Sequence, residues 1–299
     1  MQASDGDADW HDRMYNNRAL VPESAAHIAA WAQQSQEVRA RATCTLDCAY
    51  GDLPSETLDI FTPALPTSPG GAPVLRPVLV LIHGGYWRAL DKSDHSFVAP
   101  AFTAAGCVVV VLNYALCPGT PAAPVSISFI AAQIERALQW VWAHIAEFGG
   151  NPARITVVGH SAGGQLAALM LAVPWSQRGN QLPGALVRNA LSVSGLHDLQ
   201  PLVHSPLLQS VLNITEAQVQ RCSPCRLAAP AHGILVCAVG GEESAEFLRQ
   251  NLLMQQAWGT RVVPKAIALA GLNHFSVLEA LALPGTALHR LALDLLMDE

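Results

Sequence analysis

Charged side chains are scarce in this chain, at 13% of 299 residues, against 51% hydrophobic residues. With a mean hydropathy of +0.27, that composition excludes a disordered chain and suits a thick core. Basic residues are outnumbered, 17 Lys and Arg to 23 Asp and Glu, and nowhere cluster. Phosphate backbones need such clusters for counterion release, so nucleic acid is not an expected partner. Asp, Glu, Lys and Arg are absent from Ser96 to Ile134, but Pro100, Asn113, Pro118, Gly119, Pro121 and Pro124 interrupt that stretch. No run reaches the roughly 18 unbroken apolar residues of a membrane span, so none is expected. The acidic residues from Met1 to Asp12 lack the order of a secretory leader, and a cytoplasmic location is the expectation. The seven cysteines, Cys44, Cys48, Cys107, Cys117, Cys222, Cys225 and Cys237, are odd in number and scattered. They read as reduced thiols, and the Cys222-Ser223-Pro224-Cys225 spacing lacks a second pair of metal ligands. A dinucleotide G-x-G-x-x-G, a Walker loop and H-E-x-x-H are all missing, so neither cofactor nor metal is expected.

What is present is an alternation of strands and helices. Residues 1–42 read as an N-terminal appendage with a helix from Ser24 to Arg41. Thr43–Tyr50 and Thr57–Phe61 read as a hairpin across Gly51-Asp52-Leu53-Pro54. The stretch from Pro63 to Pro77 is a loop by composition. Beyond it, Val78–Ile82 and Cys107–Leu112 are continuous β-branched runs, as in strands buried on both faces. A helix is expected from Asp94 to Ala105, and another follows the spacing of Ile127, Ile130, Ile134, Leu138, Val141 and Ile145, stopped by Gly149-Gly150. Ile155–Val158, Asn189–Val193, Ile234–Val239 and Val262–Leu269 read as further strands. Helices are expected after Ser161, after Ser244 and at the C-terminus, where Leu288, Leu291, Ala292, Leu295 and Leu296 form one face and His289 reads as solvent-facing. The pattern implies an α/β fold, a mostly parallel sheet flanked by helices. A 299-residue chain can form it as one large domain with no need of a metal or disulfide to hold the core. Leu196–Pro230 is long for a connection and reads as a cap insertion.

The chemistry sits at strand ends. Gly159-His160-Ser161-Ala162-Gly163 falls between an apolar strand and a helix, where a sharp turn needs small residues at Gly159 and Gly163 and projects the serine. His83-Gly84-Gly85-Tyr86-Trp87 follows the strand ending at Ile82. The amides of Gly84 and Gly85, with that of Ala162, suit an oxyanion hole, and His83 suits a loop-fixing hydrogen bond. A serine nucleophile needs a base oriented by an acid, in the chain order Ser, acid, His. Of the late histidines, His232 precedes a strand and His289 lies in the last helix, leaving His274 in the loop after the last strand. The acid lies after the strand at Ile234–Val239, where Glu242 and Glu243 are both candidates, with Asp198 as a competitor.

Together, His83-Gly84-Gly85-Tyr86-Trp87, Gly159-His160-Ser161-Ala162-Gly163-Gly164, Asn113-Tyr114 and Glu243-Ser244-Ala245-Glu246-Phe247 resemble the α/β-hydrolase kynurenine formamidases and their bacterial esterase relatives. Tyr15-Asn16-Asn17-Arg18 and Gly195-Leu196-His197-Asp198-Leu199 belong to the same resemblance, which spans nearly the whole chain. It implies a single α/β-hydrolase domain and selects Glu243 as the acid, at a position that in the family is usually aspartate. Gln165 also departs from the family, which often carries His there. The implied activity is hydrolysis of an aryl formamide by a triad of Ser161, His274 and Glu243, with short-chain ester hydrolysis as the alternative and a non-catalytic receptor as the remote one. A small-molecule substrate with an aromatic leaving group is the expected partner, and a homodimer is allowed. Tyr86 and Trp87 are candidates to meet the aromatic group, and Arg88 to meet a substrate carboxylate.

Overall fold

The computed structural model describes residues 8–64 and 74–298. Met1 to Asp7 and most of the Pro63–Pro77 loop lie outside the described residues. Three helices come first, α1 (Ala8–Tyr15), α2 (Asn17–Leu20) and α3 (Ser24–Arg41). The hairpin β1 (Cys44–Ala49) and β2 (Thr57–Phe61) leads into β3 (Arg76–Ile82), α4 (Ala99–Thr103) and β4 (Val108–Leu112). After a two-residue ribbon, β5 (Gly119–Thr120) and β6 (Ala123–Pro124), come α5 (Ile127–His144), β7 (Gly150–His160), α6 (Ala162–Leu171) and β8 (Asn189–Val193). The insertion holds α7 (Gln200–Val203), α8 (Pro206–Leu212) and α9 (Glu216–Cys222). The chain ends with β9 (Leu235–Gly240), α10 (Ala245–Val262), β10 (Lys265–Leu269), α11 (Ser276–Ala282) and α12 (Ala287–Met297).

Eight strands form one sheet in the order β1-β2-β4-β3-β7-β8-β9-β10, parallel from β4 to β10, with β1 and β2 added antiparallel. The β-branched runs are buried on both faces because successive side chains alternate. Val78, Val80 and Ile82 join the layer under α5, α6 and α10, while Leu79 and Leu81 join Trp31, Phe102 and the α11–α12 helices on the other side. No single helix among the described residues is long and apolar enough to cross a membrane, although α11 and α12, bent by 52°, would pass such a test as a pair. Much of that pair faces the core, including Val277, Leu278, Leu281, Leu288 and Ala292.

Four local expectations are corrected. The helix foreseen at Asp94–Ala105 is two 3-10 turns followed by α4 from Ala99. Asp91 closes a capping box with Asp94, and Pro100, lacking an N–H, suits the first turn of a new helix. Val262 ends α10 rather than opening a strand, because Pro264 cannot donate to a ladder and pairing begins at Lys265. His289 is buried, its ring 5.1 Å from that of Phe102. The spacing explains it, since His289, Ala292 and Leu296 fall at i, i+3 and i+7 of one stripe. From Ala8 onward the expected appendage is built into the body, with Tyr15 and Trp31 essentially inaccessible.

Candidate active site

Ser161 stands at the turn between β7 and α6 with φ 56° and ψ −117°, a strained setting for a residue with a side chain. The turn closes only because its flanks are glycines. A β-carbon on Gly159 would lie 1.9 Å from the Gly163 carbonyl oxygen, and one on Gly163 would lie 2.0 Å from that of Ile82. Gly163 therefore lets α6 start directly against the end of β3, beside the His83-Gly84-Gly85 loop.

That loop is strained as well, with Tyr86 at φ 51° and Trp87 at φ 55°. Side chains hold it. Tyr114 donates its hydroxyl to the His83 carbonyl at 2.8 Å, and His83 Nδ1 lies 2.8 Å from the Gly84 carbonyl. Burial pushes the His83 imidazole down to about 3, so it stays neutral and serves the loop as a hydrogen-bond donor. Trp87, foreseen as a substrate contact, is instead fully buried and donates Nε1–H to Gln165 Oε1 at 3.1 Å. Its left-handed backbone turns the indole into the core. Gln165 in turn donates to the Cys222 carbonyl at 2.7 Å, joining loop, α6 and insertion through one buried amide. Tyr86 donates its hydroxyl to the Tyr15 carbonyl at 2.6 Å.

At the other end of the sheet rim, Glu243 follows β9 and His274 follows β10. Glu243 Oε2 accepts from His274 Nδ1 at 2.6 Å, while Oε1 accepts from the Ser194 hydroxyl at 2.5 Å and the Gly240 amide at 2.7 Å. Three donors aimed at one carboxylate fix both its rotamer and the histidine tautomer, leaving the other ring nitrogen free to accept. Glu242 is exposed and takes no part in this network. Asp198 belongs elsewhere, paired with Arg226. Ser161 and His274 line one cavity of about 330 Å³.

The cavity wall contains residues whose roles could not be read from their types alone. Tyr15, Asn16, Asn17, Arg18, Ile28 and Trp31 all reach it from the segment before β1. Gly85, Tyr86 and Arg88 come from the loop after β3, and Leu207 and Leu208 from the insertion. Among the described residues no Asp or Glu lines it, whereas Arg18 and Arg88 do. Arg88 also donates to the Leu207 carbonyl at 3.2 Å, which steadies its guanidinium at the wall. The N-terminal segment is locked in place by a buried network. Tyr15 donates to Glu246 Oε2 at 2.6 Å, Arg249 makes two 2.9 Å bonds to the same carboxylate, and Gln250 donates to the Tyr15 hydroxyl at 3.2 Å. Two sequence motifs far apart in the chain, around Tyr15 and around Glu246, thus meet side by side. A second lock joins Arg39 of α3 and Lys92 to the buried carboxylate of Asp59.

A carboxylesterase family model matches residues 55–228. The chain belongs to the carboxylesterase family. Kynurenine formamidase of Danio rerio is 28% identical over 96% of this chain and 92% of its own length, and that of Salmo salar is 27% identical over 91% and 87%. A carboxylesterase of Mycobacterium tuberculosis is 42% identical, but over only 33% of this chain and 30% of its own. Among solved structures, a protein of Silicibacter sp. TM1040, provisionally assigned as a thioesterase, superposes with TM-score 0.77 at 31% identity over 93% of this chain and 96% of its own. An arylesterase at 17% identity and TM-score 0.62 shares the fold. The carboxylesterase-family chain is thus an α/β-hydrolase and a hydrolytic enzyme, as the formamidase and esterase resemblance led one to expect. No group of three or more His, Cys, Asp or Glu residues placed to hold a metal is found among its described residues, and its seven cysteines are free thiols.

Proposed function

We propose that the enzyme hydrolyses aryl formamides of the N-formylkynurenine type through a formyl-enzyme on Ser161. The observation that carries the proposal is the cavity itself. A serine at a strained turn and a carboxylate-oriented histidine share it with aromatic side chains and two arginines, and among the described residues no carboxylate lines it. The similarity to kynurenine formamidases over nearly the full length supports the same choice.

His274 takes the Ser161 proton as the hydroxyl attacks the formyl carbon. Glu243 stabilises the resulting imidazolium and keeps its tautomer. The amides of Gly84, Gly85 and Ala162 receive the oxyanion, Ala162 doing so from the N-terminus of α6, where free N–H groups favour negative charge. His274 then protonates the departing arylamine, and a water activated by the same ring releases formate. Tyr86 borders the leaving group, and Arg88 with Arg18 meets a substrate carboxylate. The family match favours carboxylic esters as a second substrate class, cleaved by the same groups. Side-by-side kcat/KM for N-formylkynurenine and p-nitrophenyl acetate decides between them. A strong preference for the ester sinks the formamidase assignment.

A further inference from the structure

His160, the residue before Ser161, stands beside the reacting groups but has no place in the triad. It is buried, and its Nε2 lies 2.9 Å from the backbone carbonyl of His274. A carbonyl can only accept, so the ring proton is on Nε2. Burial, reinforced by the neighbouring His274, holds the imidazole well below its ordinary pKa and therefore neutral. A neutral ring protonated on Nε2 carries a bare lone pair on Nδ1. Among the described residues no donor is bonded to that Nδ1, and His160 lines the cavity. The space that a β-carbon would take at Gly84 is 3.2 Å from Nδ1 and 3.2 Å from Ser161 Cβ. A β-carbon there would also lie 2.9 Å from the His160 carbonyl oxygen, so only a glycine fits. Acceptor and nucleophile both pack against the Gly84 backbone, while His160, Ser161 and His274 line the same cavity.

We infer that His160 Nδ1 accepts a hydrogen bond from the scissile N–H of the formamide and so tunes the enzyme toward amides over esters. The inference rests on the proposed formamidase activity. Attack on the formyl carbon makes the amide nitrogen pyramidal, and its new lone pair must face His274 to be protonated. The N–H then turns away from His274, and a donor left without an acceptor there raises the barrier. An ester oxygen carries no hydrogen and makes no such demand. His160 supplies the missing acceptor. Its Nε2–H bond to His274 both fixes the tautomer and steadies the base.

Formanilide and phenyl formate test this, because both give the same formyl-enzyme and their kcat/KM values compare acylation alone. His160→Phe removes the hold on the His274 carbonyl as well as the acceptor, which slows both substrates. The amide-to-ester ratio cancels that shared loss and should fall by about tenfold or more, the worth of one hydrogen bond. His160→Gln, which has both a donor and an acceptor, should recover part of the ratio. Equal losses on amide and ester overturn the inference and leave His160 as a positioning residue for His274. If His160→Phe does not fold, the wild-type enzyme decides: N-methylformanilide, with no N–H, should be cleaved at least about tenfold more slowly than formanilide, and equal rates overturn the inference. A wild-type enzyme that cleaves phenyl formate but never formanilide overturns the formamidase proposal itself, a failure told apart because no variant is needed to see it.

Discussion

Replacing Glu243 with Gln changes one oxygen for an amino group and keeps the shape. Three donors converge on this side chain, the Ser194 hydroxyl and Gly240 amide on one oxygen and His274 Nδ1 on the other. A carboxylate satisfies all three and a carboxamide cannot. The Gly240 N–H is fixed by the backbone at 2.7 Å, so the glutamine keeps its oxygen there and turns its amino group to His274. His274 must then accept on Nδ1 and carry its proton on Nε2, the nitrogen that should receive the Ser161 proton. Forcing that wrong tautomer in a serine triad costs roughly 10³- to 10⁴-fold in kcat, or about 4–5.5 kcal/mol of barrier. Stopped-flow turnover of an aryl ester by Glu243→Gln, beside the exposed control Glu242→Gln, measures it. The control should stay near wild type. Glu243→Asp restores the charge but withdraws it by roughly one C–C bond, about 1.5 Å, so its loss should fall between the two. A Glu243→Gln enzyme within tenfold of wild type refutes the assigned dyad.

Other outcomes can be checked independently. Arg88→Ala should raise KM for a carboxylate-bearing formamide more than for a neutral ester, and equal changes count against its role at the wall. Tyr15→Phe removes the hydroxyl that bridges Glu246 and Gln250. It should destabilise by about 1–2 kcal/mol, seen as a Tm drop of a few degrees by calorimetry. His83 and His197 are buried, with burial pushing them down to about 3 and about 4. Below the ordinary histidine range the unfolded chain binds protons that the folded chain refuses, so stability should fall as pH drops from about 6.5, by about 1.4 kcal/mol per unit for each histidine. Urea midpoints at pH 7, 6 and 5 measure that slope, and a flat profile excludes neutral burial. Gly159→Ala would put its β-carbon 1.9 Å from the Gly163 carbonyl oxygen, and soluble, folded protein in circular dichroism would contradict the turn described here.

The strands and the serine turn were legible because each rests on a local rule. The runs Val78–Ile82 and Cys107–Leu112 have to be buried on both faces, and Gly159 and Gly163 leave no room for side chains. His274 was legible from chain order together with its place in the loop after the last strand, while Glu243 could be told from Glu242 only through the family resemblance. Trp87 was misplaced because whether a residue beside a glycine pair points into the cavity or the core depends on a left-handed φ that sequence does not reveal. The wall formed by Asn17, Ile28 and Trp31 was illegible for another reason, since it depends on Tyr15 reaching Glu246 across 231 residues. Gln165 was noticed only as a departure, and its two buried bonds explain why an amide suits that position.

The cavity's outer side comes from a stretch that adds no strand to the sheet. In the proposed reaction, chemistry and recognition are therefore divided between separate parts of the chain, the rim of the sheet supplying one and the leading helices much of the other. Selectivity in this architecture can drift by exchanging those helices while the reactive frame stays untouched. Any such graft must carry matching seams, the Tyr15–Glu246 contact on one side and the Arg39–Asp59–Lys92 cluster on the other.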